Sequence, residues 1–469
     1  MDFLFSGIIQ EKQIMRSIAI IGTGISGLSA AHFISKKYPN AEIHLVETNG
    51  RVGGNFNSEE LDDFIFEYGP RGVLKNSHAF FHLLESADSW STLIPGKKTS
   101  SKRYVWFNNK LEQLGGSVFH IFRSPLMKGV FGAILKERKL VNKPESEDET
   151  VLQFFERRFG KHITHNLVDA FVTGIWAGDI SKLSVKSVFP SVYLAERNHG
   201  SVVRGLLKMR KERKFVRMND LRRLTHPKLP KGRFFTVRGG LQRFAETLVK
   251  PFKKNLYLNQ HINHIERNGD LWDLTLSDSK KISVEHLVFS TPAFVTGNYL
   301  RNLDHDLSQA LIKIDYVPVA VVNFGYRKSI SKVDGFGFLV PFNQNKKILG
   351  VIFNSGTFDH VSPENGMNFT VMMGGAHHEE IVEKSDDELT EIALETMKNC
   401  LKIEQKPDVI RVKKWQHAIP QYNLGHSEIV QQIFELNKKH KNLHLLGNWK
   451  EGIGINDCIK SSFNWAEKS

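Results

Sequence analysis

An α/β fold is predicted for this chain of 469 residues by three observations: a strand-helix-strand start, a helical and strongly basic middle, and short apolar strands that return from Phe234 onward. Composition admits it: 41% hydrophobic and 24% charged residues exclude a disordered, collagen-like or disulfide-scaffold protein. Cys400 and Cys458 form no CxxC pair and no zinc spacing, so neither a disulfide framework nor a metal site is expected and a reducing compartment suits the chain. No apolar run reaches the roughly 18 residues that a membrane span needs, and residues 1–15 read as an untargeted extension. The sequon Asn368-Phe369-Thr370 lies in a strand-like run and is not expected to carry a sugar. Lys+Arg exceed Asp+Glu by 64 − 50, or +14, which favours anionic partners.

The elements follow in order. Residues 17–22, Ser-Ile-Ala-Ile-Ile-Gly, are an Ile-rich run that stops at glycine, as a buried parallel strand does. A helix is predicted from Ile25 to Lys37 and a second buried strand from Ala41 to Val46, ending at Glu47, which closes one β-α-β unit. Between about 115 and 235 the apolar period becomes helical, with Phe154, Phe155 and Phe159, then Leu167, Val168 and Phe171, set among polar positions. Inside that region residues 204–233 hold twelve Lys/Arg against Glu212 and Asp220, a net +10. Strands are then predicted over Leu256–Ile265, Leu271–Leu276, Val284–Ser290, Val317–Tyr326, Lys347–Asn354 and Phe369–Met373. A helix follows over Asp386–Cys400, then a last buried strand over Leu443–Gly447 and a glycine turn and helix over Gly452–Trp465.

Four motifs carry chemistry. Gly22-Thr23-Gly24-Ile25-Ser26-Gly27 fits GxGxxG between strand and helix, where the glycines permit a tight turn, backbone approach to a pyrophosphate and close helix-strand packing. Glu47 ends the next strand 20 positions after Gly27, where an acid meets a ribose hydroxyl and repels a 2′-phosphate, so the start is Rossmann-like and NADP is disfavoured. Arg51-Val52-Gly53-Gly54 adds a cation and a second glycine loop, which suits the longer, doubly charged FAD better than NAD. Gly69-Pro70-Arg71-Gly72, after the strand-like Phe64–Phe66, would bring backbone close to a flat ring. At the far end Gly447-Asn448-Trp449 follows a strand, and Gly452-Ile453-Gly454-Ile455-Asn456-Asp457 opens a helix, expected to present its N-terminus to an anionic or electron-rich group.

From about residue 17 to the C-terminus the chain resembles the flavin-containing amine oxidase superfamily and, within it, the porphyrinogen-oxidising members. The stretches that carry the resemblance are GTGISGLSAAH, ETNGRVGGN, EYGPRG, FFERRFG, GIWAGDISKLSVKSVFPSVYLAE, FTVRGGLQRF, GFGFLVP, VMMGG, IPQYNLGH and EGIGINDCIKSS. It implies non-covalent FAD held by Gly22 to Gly27, Glu47, Thr48, Arg51, Gly54, Asn55, Gly69, Pro70, Arg71, Gly72, Ile262, Trp415, Gly447 and Gly452 to Asn456. It also implies a porphyrinogen whose propionate pairs with Arg103 and whose macrocycle lies among Phe171, Gly174, Phe336, Leu339 and Met372. Thr173 stands where relatives often carry a basic residue, and Trp176 is an aromatic whose place, pocket or core, sequence leaves open.

The activity so implied is the six-electron oxidation of protoporphyrinogen IX in three two-electron steps, with dioxygen as acceptor and hydrogen peroxide formed. The alternatives are coproporphyrinogen III as substrate or an amine oxidase. No Ser/His/Asp, Cys/His or paired-carboxylate arrangement is evident, and no catalytic base is named. The expected organisation is a discontinuous FAD-binding domain (16–80, 234–300 and 410–469), a mixed-sheet substrate domain (81–114 and 301–409) and a helical domain (115–233). Phe119–Lys139 and residues 204–233 suggest contact with an anionic membrane surface. A cytoplasmic location, peripheral on the inner membrane face, is expected, with a homodimer as a further partner; no nucleic acid is expected, since no motif for it accompanies the charge.

Overall fold

A computed structural model describes residues 15–114, 124–140, 146–210 and 231–469. Residues 1–14, the start of the amphipathic stretch at 119–123, and 211–230 of the basic segment lie outside the described residues.

The core of the nucleotide half is a five-stranded parallel sheet in the order Leu256–Tyr257, Glu42–Val46, Ser17–Ile21, His286–Phe289, Leu443–Leu445. Numbered along the chain this is 3-2-1-4-5, the doubly wound order whose direction reverses beside the first strand. Both faces of that sheet are covered, which is why its strands are apolar throughout. Ile18, Ile20, Ile43 and Leu45 pack against the helices Ile25–Lys37, Ala79–Ser86, Gly240–Val249 and Ile455–Lys468. Ala19, Ile21, Leu287 and Phe289 face a three-stranded antiparallel layer through Trp272 and Leu274, with the helices Ala293–Leu300 and His305–Ile312 beside it.

A seven-stranded mixed sheet forms the second half, in the order Val409–Pro420, Tyr316–Tyr326, Met367–Gly374, Ile348–Phe353, Gly337–Leu339, Arg103–Phe107, Lys110–Leu114. Alternation sorts its residues. Ala320, Val322, Phe324, Val371 and Met373 face the helix Asp386–Leu401, while Val317, Val319 and Val321 face Tyr68 and Ala177. The second face looks toward the parallel-sheet half. The helices Val151–Phe159, Asp169–Trp176 and Pro190–His199 share a core of Phe154, Val172, Trp176, Val185 and Tyr422. Arg157 and Arg158 pair with Glu149, Glu196 and Glu137 and tie these helices to Val130–Lys139.

The helix at Ile25–Lys37 and the strand at Leu271–Leu276 stand where the sequence reading puts them. Two predicted strands are each divided. The run 256–265 ends at Tyr257 and resumes at Ile262–Asn268 in another sheet, because Asn259 takes a left-handed turn at φ 55°. The run 284–290 breaks at Glu285, which accepts the Arg16 N–H and donates its own N–H to Ser17, leaving Lys281–Val284 and His286–Phe289 in separate sheets. Residues 410–420, grouped by sequence with the FAD-binding part, form an edge strand of the mixed sheet, since Val409–Pro420 pairs along Tyr316–Tyr326. Likewise Phe81, Leu83 and Leu84, placed by sequence in the substrate part, pack into the parallel-sheet core.

Candidate active site

The first glycine turn stands at the carboxyl end of the strand beside which the sheet order reverses, the position where open α/β sheets bind ligands. Gly22 has φ +96°, and a Cβ there would lie 3.0 Å from Thr291 and 3.1 Å from Ser290 Oγ. At Gly27 a Cβ would lie 2.1 Å from the Gly22 carbonyl oxygen. Gly24 is different: a Cβ there meets no protein atom within 4 Å. The helix that begins at Ile25 has no side-chain cap and no acid in its first turn, so its N–H groups and dipole face that open space. This is an anion seat by construction.

Glu47 and the second glycine loop close around it. Thr23 donates to Glu47 Oε2 from its N–H at 3.0 Å and its hydroxyl at 2.7 Å, and Asn49 donates to Oε1 at 3.0 and 2.8 Å. The buried carboxylate is thus oriented but keeps lone pairs for a further donor, which a ribose hydroxyl would be. Gly53 N–H bonds the Thr23 carbonyl at 2.9 Å, and Gly54, at φ +57°, would carry a Cβ 3.1 Å from Gly24 Cα. Arg51 donates to the carbonyls of Phe56 and Gly54, both at 2.8 Å, and to Gln242 at 3.1 Å, so its cation shapes this loop. Thr48 and Ile262 both lie against the Tyr299 hydroxyl, which brings the end of the second strand to the antiparallel layer.

In the third motif, a Cβ at Gly69 would lie 2.0 Å from the Asn55 carbonyl oxygen and one at Gly72 would lie 2.4 Å from that of Phe235. Both contacts demand glycine, and Pro70 stiffens the chain between them. Arg71 donates to the Gly69 carbonyl at 3.2 Å, and burial lowers its pKa to about 10, with Glu67 opposing the shift. Trp415 Nε1 donates to the Tyr68 carbonyl at 2.9 Å, which joins this turn to the mixed sheet.

The C-terminal turn reaches the same place. Ser462 Oγ donates to the Ser26 carbonyl at 2.8 Å, Phe463 packs edge-on against Phe33, and Lys37 bonds the Ala466 carbonyl, so the helices Ile25–Lys37 and Ile455–Lys468 run side by side. Gly447, at φ +149°, would place a Cβ 2.7 Å from the Trp449 ring, and Ile453 packs on the helical core. Asn456 donates to the Leu74 carbonyl at 2.7 Å and to Asn76. Asp457 stands in the first turn and accepts the Gly454 N–H at 3.2 Å, so a carboxylate lies at the positive end of this helix dipole.

The predicted substrate residues lie on the mixed sheet and the helix Asp169–Trp176. Leu339, Gly350 and Met372 are cross-strand neighbours in one row, and a Cβ at Gly174 would lie 2.3 Å from Leu339 Cδ2, so helix and strand meet there. Arg103 begins its strand with its guanidinium 5.1 Å from the Phe336 ring centroid and forms no ion pair among the described residues. Phe171 is 44% exposed and stacks on Phe189 at 5.9 Å. Ile175, one turn on and 43% exposed, continues that apolar face; sequence reading passed over it, although the i, i+4 spacing was visible. Thr173 is buried with its hydroxyl unpartnered, and Trp176 is a core residue against Tyr422.

The family model for flavin containing amine oxidoreductases matches residues 25–468. The coproporphyrinogen III oxidase of Bacillus subtilis is 28% identical across 95% of this chain and 96% of that protein. The chloroplastic protoporphyrinogen oxidase 1 of Spinacia oleracea is 29% identical across 95% of this chain and 83% of that one. A solved structure from Exiguobacterium sp. 255-15 superposes with a TM-score of 0.81 at 20% identity over 97% of this chain and 98% of that chain, which shows a shared fold. The open shelf at Gly24, the oriented Glu47 and the convergence of both end helices fit a dinucleotide seated on the parallel-sheet half. With a family model that spans nearly the whole length, these features make the chain a member of the flavin containing amine oxidoreductase family and an FAD-dependent oxidoreductase.

Proposed function

We propose that this protein oxidises a porphyrinogen to the porphyrin, with protoporphyrinogen IX as preferred substrate. The observation that carries the reading is that Arg103, a cation without a carboxylate partner among the described residues and set beside the Phe336 ring, shares a face of the mixed sheet with Leu339 and Met372, onto which the helix packs at Gly174. A planar, greasy macrocycle with carboxylate arms needs both: the guanidinium fork binds a propionate bidentately, and the wall removes the ring from water. Relatives named for porphyrinogen oxidation, matched over 96% and 83% of their own length, support this substrate class.

In this reading Gly22 to Gly27 with the uncapped helix hold the pyrophosphate, Glu47 the ribose, Ile262 and Thr48 the adenine end, and the turns at 69–72 and 452–456 flank the isoalloxazine. Bound FAD supplies a two-electron acceptor, used three times per macrocycle. Six electrons and six protons leave the substrate, and three dioxygen molecules become three hydrogen peroxide. The chain's own part is to orient the macrocycle through Arg103 and exclude water with the apolar wall, and no residue is assigned as base.

Peripheral attachment to an anionic membrane belongs to the same proposal. Phe131 and Leu135 on one helix, and Leu206 and Leu207 on the segment 202–210, are exposed at 42%, 62%, 36% and 52% beside Lys136, Arg138, Lys139, Arg204 and Lys208. Glu137 fixes the pair by accepting the N–H groups of Val202 and Val203 at 2.7 and 3.1 Å. No described helix is long and apolar enough to cross a membrane.

Arg103→Ala tests the site. Loss of a charge-assisted pair should raise KM for protoporphyrinogen about tenfold or more, with flavin content unchanged. Unchanged kinetics would remove Arg103 from the substrate site.

A further inference from the structure

Tyr422 is wired into the C-terminal turn from both sides. Its hydroxyl donates to the Asn448 carbonyl at 2.6 Å and accepts the Gly452 N–H at 2.9 Å, so one phenol closes the turn 448–452. The turn is demanding, for Gly452 has φ +129° and a Cβ there would lie 2.7 Å from Asp457 Cγ. The ring is itself held: His426 stacks on it at 3.9 Å and 11°, and Trp176 meets it at 4.7 Å and 61°. Trp176 ends the helix that carries Phe171 and Gly174, and its carbonyl accepts Gln421 Nε2 at 3.0 Å. A continuous path therefore runs from the substrate-side helix through Trp176 and Tyr422 to Gly452.

We propose that Tyr422 is a positioning residue that sets the turn 448–452 against the flavin ring, with Trp176 relaying the place of the substrate-side helix to it; this rests on the reading that Gly452–Asn456 flanks the isoalloxazine. Burial raises the phenol well above its ordinary range, so it stays protonated and keeps its bond to Asn448 at any working pH. Phenylalanine in its place keeps the packing but strands the Gly452 N–H and the Asn448 carbonyl together, and a turn with two stranded groups shifts.

The test needs no substrate. Tyr422→Phe should raise the Kd for FAD about tenfold and shift the visible flavin bands. Trp176→Phe, which leaves both Tyr422 bonds in place, should move the bands the same way by less, and it decides the matter if Tyr422→Phe does not fold. In turnover the loss should fall on kcat more than on KM. Flavin affinity and spectrum unchanged in the variants that fold would overturn the inference. Amide exchange separates it from the reading beneath. FAD should protect residues 452–456 in the wild-type protein; no protection overturns the turn's place and this inference together, whereas protection with unchanged variants overturns this inference alone.

Discussion

The two glycine turns look alike in sequence and differ in electrostatics. At Gly24 the helix opens with no cap and no acid, above space that no protein atom fills. At Gly454 the helix carries Asp457, which folds back on its own N-terminus, while the neighbouring Gly452 N–H is taken by Tyr422. The first turn suits an anion, and the second, with a carboxylate already at its helix terminus, suits one less. A glycine pattern thus states that backbone comes close; the first-turn residues state what it can approach.

The largest expected effect falls on the open turn. Gly24→Val should abolish FAD retention yet leave apoprotein stability unchanged, since its side chain enters open space; flavin-to-protein ratio and thermal melting read the two. Retained flavin would break the contrast. Gly27→Ala inverts the pattern: its methyl meets the Gly22 carbonyl at 2.1 Å, so the fold itself should lose about 3 kcal/mol in chemical denaturation.

Glu67, behind the third turn, gives an effect of similar size that depends on pH. Burial pushes its carboxyl up to about 7, against bonds from Leu241 N–H and the Ser58 hydroxyl. A folded-state pKa above the unfolded one means that stability is complete below about 4.5 and lost as pH rises through 7, by about 3 kcal/mol. Glu67→Gln should remove that slope from a series of denaturant titrations, and an unchanged slope would show that Glu67 is ionised throughout.

The smallest effect sharpens the second turn. Asp457→Asn keeps a cap for Gly454 but removes the charge, and should cost about 0.5 kcal/mol with little change in flavin affinity. A marked gain in affinity would mean that this terminus also faces an anion.

How legible each part was follows from how local its causes are. The β-α-β unit was readable nearly to the residue because a buried strand, its terminal glycine and the next acid are neighbours in sequence. The divided strands were not, because apolar texture ran through Asn259 and Glu285 and only the backbone turn or a distant partner such as Arg16 breaks them. The strand Val409–Pro420 lies at a sheet edge with half-exposed lysines, and its signal is weak for that reason. At the site, the glycines and Glu47 announce themselves, whereas Tyr299 and Tyr422 matter through partners far along the chain.

Aerobic turnover of the purified flavoprotein on protoporphyrinogen IX and coproporphyrinogen III side by side, followed by porphyrin fluorescence, tests the account most directly. Oxidation of both is expected, with the higher kcat/KM on protoporphyrinogen, since Arg103, exposed beside the Phe336 ring, is the cation proposed to meet a propionate. A higher value on coproporphyrinogen would contradict the preference, and bound FAD with neither substrate oxidised would contradict the function.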